Sequence, residues 1–140
     1  MRVFLDTNVI VSAMATRGLC AEVLRDVLVR HQLIISEGLL GEVKRVLLGK
    51  LGIPHDVVKD VLNLLRDGSI LSIPVPSAEY SIPNSMDKAL VSAALNAKAD
   101  LFVTGDAELL ALAECGPMAI ISPRKFWERA REKPLGRKIV

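Results

Sequence analysis

Short apolar runs alternate with longer stretches in which apolar residues recur every three or four positions. Residues 3–5 (VFL), 33–36 (LIIS), 70–73 (ILSI), 101–104 (LFVT) and 119–122 (AIIS) predict five short strands. They are apolar on both faces, as in a parallel sheet covered on both sides. Pro74 and Pro76 close the third run and argue against a central position for it. Between the runs, residues 8–15, 20–30, 37–48, 55–66, 86–98, 107–114 and 123–131 read as helices. Leu39, Val43, Val46 and Leu47 form one helical stripe, and Val57, Val61, Leu64 and Leu65 another. Gly49 and Gly52 ahead of Pro54 split the second gap into two helices. This alternation predicts an α/β fold, a three-layer α/β/α sandwich with a five-stranded parallel sheet and right-handed crossovers. In such sheets ligands bind at the carboxyl ends of the strands, where the strand order reverses.

A chain of 140 residues is one domain. The expected division is a domain over 1–131 and a basic tail over 132–140. With 51% hydrophobic and 24% charged residues, disorder and a disulfide scaffold are excluded. No apolar run approaches the ~20 residues of a membrane helix, and MRVFLDTNV meets an acid at Asp6, leaving no signal-peptide core. The expectation is a soluble, cytoplasmic protein with no membrane partner. The net charge of +2 is unevenly spread. From Arg124 onward seven basic residues face two acidic ones, giving +5, while the first 123 residues hold eleven bases and fourteen acids, giving −3. Cys20 and Cys115 lack a C-x-x-C partner and read as small core residues. His31 and His55 stand apart from the acidic motifs and read as surface or helix-end residues. Trp127 beside Phe126 reads as packing the last helix onto the body. The polar, proline-marked stretch from Pro74 to Ser85 is a lid or a connection.

Four carboxylates carry the candidate chemistry. Asp6 follows the first strand and Asp106 the fourth, in LFVTGD, so both project at the carboxyl edge of the sheet. Asp106 also suits the cap of the helix AELLALA; at the first turn Thr7 and Asn8 offer caps other than Asp6. Asp87 begins a stripe with Leu90, Val91, Ala94 and Leu95, and Glu42 shares a face with Leu39 and Val46. Converging carboxylates cannot all stay ionised without a cation or a shared proton. Hard oxygen donors without a His/Cys cluster point to Mg²⁺ or Mn²⁺, not Zn²⁺.

These residues also carry a family resemblance. FLDTNV at 4–9, SEGLLGEVKRVL at 36–47, DKALVSAAL at 87–95 and ADLFVTGDAELL at 99–110 resemble the PIN-domain family. The likeness is closer still to the toxin-like PIN ribonucleases of prokaryotic toxin–antitoxin systems, and it spans residues 2 to about 122. It implies a metal-dependent endoribonuclease that hydrolyses RNA phosphodiesters with one or two Mg²⁺ or Mn²⁺ ions. Carried over position by position, the catalytic acids are Asp6, Glu42, Asp87 and Asp106. Asp6, Asp87 and Asp106 are the metal ligands, with Asn8 and Thr104 supporting the pocket. A small antitoxin and a homodimer are the implied protein partners. Relatives often carry an acidic cluster just before the third acid; here SIPNSM leads into Asp87.

Metal ions at this edge would activate a water and stabilise charge growing on the phosphoryl oxygens. Glu42 is open to three roles: ligand, orienter or base. Arg17, Lys44, Arg45 and the tail are candidate RNA contacts. A haloacid-dehalogenase-like phosphohydrolase needs an acid two residues after Asp6, where Asn8 stands. The remaining alternatives are a catalytically weak or inactive PIN-like RNA- or protein-binding adaptor and a housekeeping RNA-processing nuclease.

Overall fold

The computed structural model describes residues 1–75 and 82–138, with side chains as far as Glu132. The elements run β1 (Arg2–Leu5), α1 (Thr7–Ala15), α2 (Leu19–Arg30), β2 (Gln32–Ser36), α3 (Glu37–Gly49), α4 (His55–Arg66) and β3 (Ile70–Ser72). They continue with α5 (Ser85–Asn96), β4 (Leu101–Val103), α6 (Ala107–Leu112), β5 (Glu114–Cys115), β6 (Met118–Ile121) and α7 (Pro123–Lys138). The sheet order is β3-β2-β1-β4-β6-β5. The five expected strands pair in parallel with helices flanking the sheet, and β3 takes the edge position that its prolines favour.

A sixth strand, β5, joins antiparallel to β6, with Cys115 opposite Met118. Gly116, at φ 58, and Pro117 form the two-residue turn; glycine supplies the positive φ and proline a fixed negative one. This hairpin ends the helix expected over 107–114 at Leu112. The last helix continues past 131 to Lys138, into the segment read as a tail; the side chains of residues 133–140 lie outside the described ones. Residues 76–81, half of the stretch read as a lid or connection, lie outside them too.

The core is densest at β1 and β4. Their side chains Val3, Phe4, Leu5, Leu101, Phe102 and Val103 are buried. Phe4 pairs with Phe102 in register, their rings stacked with centroids 5.2 Å apart and planes 6° from parallel. Such a pair contributes ~0.5–1.5 kcal/mol beyond its burial. One residue of slip would break it, so this contact holds the two strand ends level.

Cys115 is buried and Cys20 half-buried, both free thiols. Phe126 is buried and Trp127 packs partly against the core. His31 ends α2 as expected, but it is packed there, not loose at the surface. Its ring meets Phe126 edge-on at 5.7 Å and Nε2 lies 3.7 Å from Asp26. Among the described residues no helix is long and apolar enough to cross a membrane.

Candidate acidic active site

The chain builds β2 and β3 on one side of β1, then returns to place β4 on the other. The strand order therefore reverses between β1 and β4, and their carboxyl ends are where sheets of this kind bind ligands. Asp6 stands there. Its N–H donates to Val103 O at 2.9 Å, which carries the pairing one residue past the strand. Across from it, the buried Thr104 donates its hydroxyl to Asp6 Oδ2 at 2.7 Å. The same hydroxyl accepts the Asp106 N–H at 3.0 Å. Asp6 Oδ1 accepts from the Thr7 N–H at 2.7 Å, so Asp6 itself is the N-cap of α1. Both its oxygens are fixed by the chain.

The neighbouring turns bring in the other acids. Asp106 caps α6 by accepting the Glu108 N–H at 2.8 Å, and Asn8 accepts the Gly105 N–H at 3.3 Å. Asp87 lies in the first turn of α5, where Asn84 Oδ1 accepts the N–H groups of Met86 and Asp87 at 2.9 and 3.1 Å. Ser36 caps α3 through the Leu39 N–H at 3.1 Å, and Glu42 follows in the next turn, half-buried.

Electrostatics join these residues into one group. Asp6 is 5% exposed. Burial raises its pKa, the Thr104 and Thr7 hydrogen bonds oppose that rise, and the charges of Glu42 and Asp106 add to it. Asp87 is pushed up to about 6, first by desolvation and then by Asp6, Asp106, Glu42 and Glu108. Among the described residues, every charge acting on these two carboxyls is negative. Glu108 is a fifth member that the sequence reading passed over. Its only signal was its place two residues after Asp106, which a solvated first-turn glutamate shares.

Among the described residues no three acidic, histidine or cysteine side chains stand close enough to grip an ion as they are. The carboxylates share a field but form no closed shell. Their chemistry nonetheless fits a hard divalent cation: all are oxygen donors, and among the described residues no lysine or arginine offsets Asp6 or Asp87. The Thr7 hydroxyl is buried beside Asp6 without a hydrogen-bond partner among the described residues. Arg17, Lys44 and Arg45 are exposed and are not among the charges acting on Asp6 or Asp87.

A family model described as PIN domain matches residues 2–108. Two solved structures share the fold. A chain of VapBC2 from Rickettsia felis, bound to a DNA fragment from their promoter, is 15% identical with a TM-score of 0.60; 87% of this chain and 98% of that one are covered. A chain of VapBC-1 from nontypeable Haemophilus influenzae is 18% identical with a TM-score of 0.59, covering 89% of this chain and 99% of that one. Comparison with curated proteins found no match.

Proposed function

The chain belongs to the PIN-domain family, and on that basis we propose that it is a Mg²⁺- or Mn²⁺-dependent endoribonuclease, the toxin of a toxin–antitoxin pair. The observation that carries this reading is the uncompensated acidic group at the strand-order reversal, centred on the buried Asp6 and on Asp87. Asp6, Asp87 and Asp106 would hold one or two ions. When bound, such an ion lowers the pKa of a water and offsets charge on a phosphodiester.

The chain's own residues do the rest. Thr104 and the Thr7 N–H hold the Asp6 carboxylate in one orientation. With no ion bound Asp87 sits at about 6, and taking up a divalent ion would release its proton. Glu42 adds charge from α3, as ligand, orienter or base. Hydrolysis would leave a 3′-hydroxyl and a 5′-phosphate. The likeness to VapBC structures supports including a small antitoxin as partner; the homodimer is part of the proposal on the family resemblance alone. The exposed Val57, Leu64, Leu71 and Ile73 offer apolar area for a partner.

The test is cleavage of a panel of RNAs with Mn²⁺, Mg²⁺ or a chelator. Asp6→Asn and Asp87→Asn should each lose activity by on the order of 100-fold or more while the fold is retained by circular dichroism. Full activity in Asp6→Asn, or cleavage undiminished by chelator, overturns the reading. The adaptor reading draws on the open spacing of the acids; it predicts no saturable Mn²⁺ binding.

A further inference from the structure

A polyanionic substrate is repelled by an acidic rim, so attraction must come from elsewhere on the surface. The start of helix α7 is placed to supply it; from Arg129 onward the helix lies beside Met1, His31 and Leu101, at the opposite edge of the sheet. The residues from Arg124 onward hold +5 and those before them −3, and the family match ends at residue 108, before this helix begins. β1, β4 and β6 are parallel neighbours, so α7 starts at the same rim as Asp6 and Asp106. Thr104 N–H donates to Ile121 O at 3.0 Å, and Ser122 then accepts the Lys125 N–H at 3.1 Å. With ~4.8 Å between strands, β6 reaches the rim about 10 Å from β1. A short run of single-stranded backbone covers that distance.

The helix is anchored and its cations are available. Phe126 is buried at 3% exposure, and Arg131 lies over the Trp127 ring at 4.3 Å. Arg124, Lys125, Arg129 and Arg131 are exposed, and none makes an ion pair among the described residues. We propose that the first turns of α7, led by Arg124 and Lys125, bind the phosphates of the RNA flanking the scissile bond and position it at the acidic rim. This rests on the ribonuclease reading. Aromatic residues are few, so the grip is electrostatic and tolerant of sequence.

The test is fluorescence anisotropy of a labelled single-stranded RNA with the full chain, in chelator, across a range of KCl concentrations. The double variant Arg124→Glu with Lys125→Glu should bind roughly tenfold more weakly and lose about 1.4 from the salt slope, at ~0.7 per phosphate contact. Lys59→Glu on α4 should match wild type. Unchanged affinity and slope in the double variant overturn the proposal. Wild type that binds RNA through α7 but never cleaves with Mn²⁺ sinks the nuclease reading and, with it, the positioning of a scissile bond, leaving α7 as an RNA-binding surface alone. Wild type that cleaves while binding ignores α7 overturns this proposal and leaves the nuclease reading standing.

Discussion

Asp6 and Asp87 illustrate two ways of handling a carboxylate. Asp6 is buried and steadied by two donors; Asp87 has only partial cover and four acidic neighbours. A carboxyl whose pKa is higher in the fold than in the unfolded chain holds its proton more tightly when folded. Its effect on stability is therefore absent at low pH and becomes destabilising as pH rises from about 4 through about 6. Asp87→Asn removes that penalty. The rise of roughly two units, at 1.36 kcal/mol each, shrinks with solvent screening to a gain of about 1 kcal/mol. In chelator at pH 7.5, urea unfolding should find Asp87→Asn more stable than wild type, with the gain vanishing by pH 4. Equal midpoints at pH 7.5 would mean that neither burial nor the neighbouring acids raises Asp87. Asp6 and Asp106 were legible in the sequence because each ends an apolar strand. Glu108 was not, because nothing in a helix-turn glutamate reveals what lies near it in the fold.

At the scale of elements, caps and clasps decide where each acid is presented. Ser36 starts α3 less than two turns before Glu42. Arg66 grips Glu37 with two hydrogen bonds of 3.0 and 2.9 Å, joining the end of α4 to the start of α3; exposure keeps its contribution small. Helices and strands were readable to within a few residues because a stripe of period 3.6 differs sharply from a short, unbroken apolar run. The β5 hairpin was not, since two residues carry no period. It is entered through Ala113, at φ 62 and ψ −38, a strained backbone for any residue with a Cβ. Ala113→Gly should raise stability by about 0.5–1 kcal/mol, glycine's extra unfolded entropy taking back part of the relief. A lower melting temperature in that variant would show the hairpin needs the alanine methyl.

The whole molecule is assembled around one reversal of strand order, and the acids that raise Asp87 stand around that reversal. Repulsion among these acids implies that a divalent cation should stabilise the fold. At a hundredfold excess over Kd, Mn²⁺ should contribute about 2.7 kcal/mol, a rise of roughly 5–10 °C in Tm. Asp6→Asn should show little of it. No Mn²⁺ shift in wild type would favour the adaptor.

The amino-acid sequence by itself determined the α/β class, the five parallel strands and the ends at which Asp6 and Asp106 emerge. These follow from local periodicity and from which residues interrupt it. Only the tertiary structure decided that β4 returns beside β1, that Thr104 bonds Asp6 across 98 positions of chain, and that Glu108 joins the group. Those depend on contacts between distant segments, whose partners no local pattern names. The helix α7 belongs to both accounts: its charge is written in the chain, but its start beside the acidic rim is a property of the sheet.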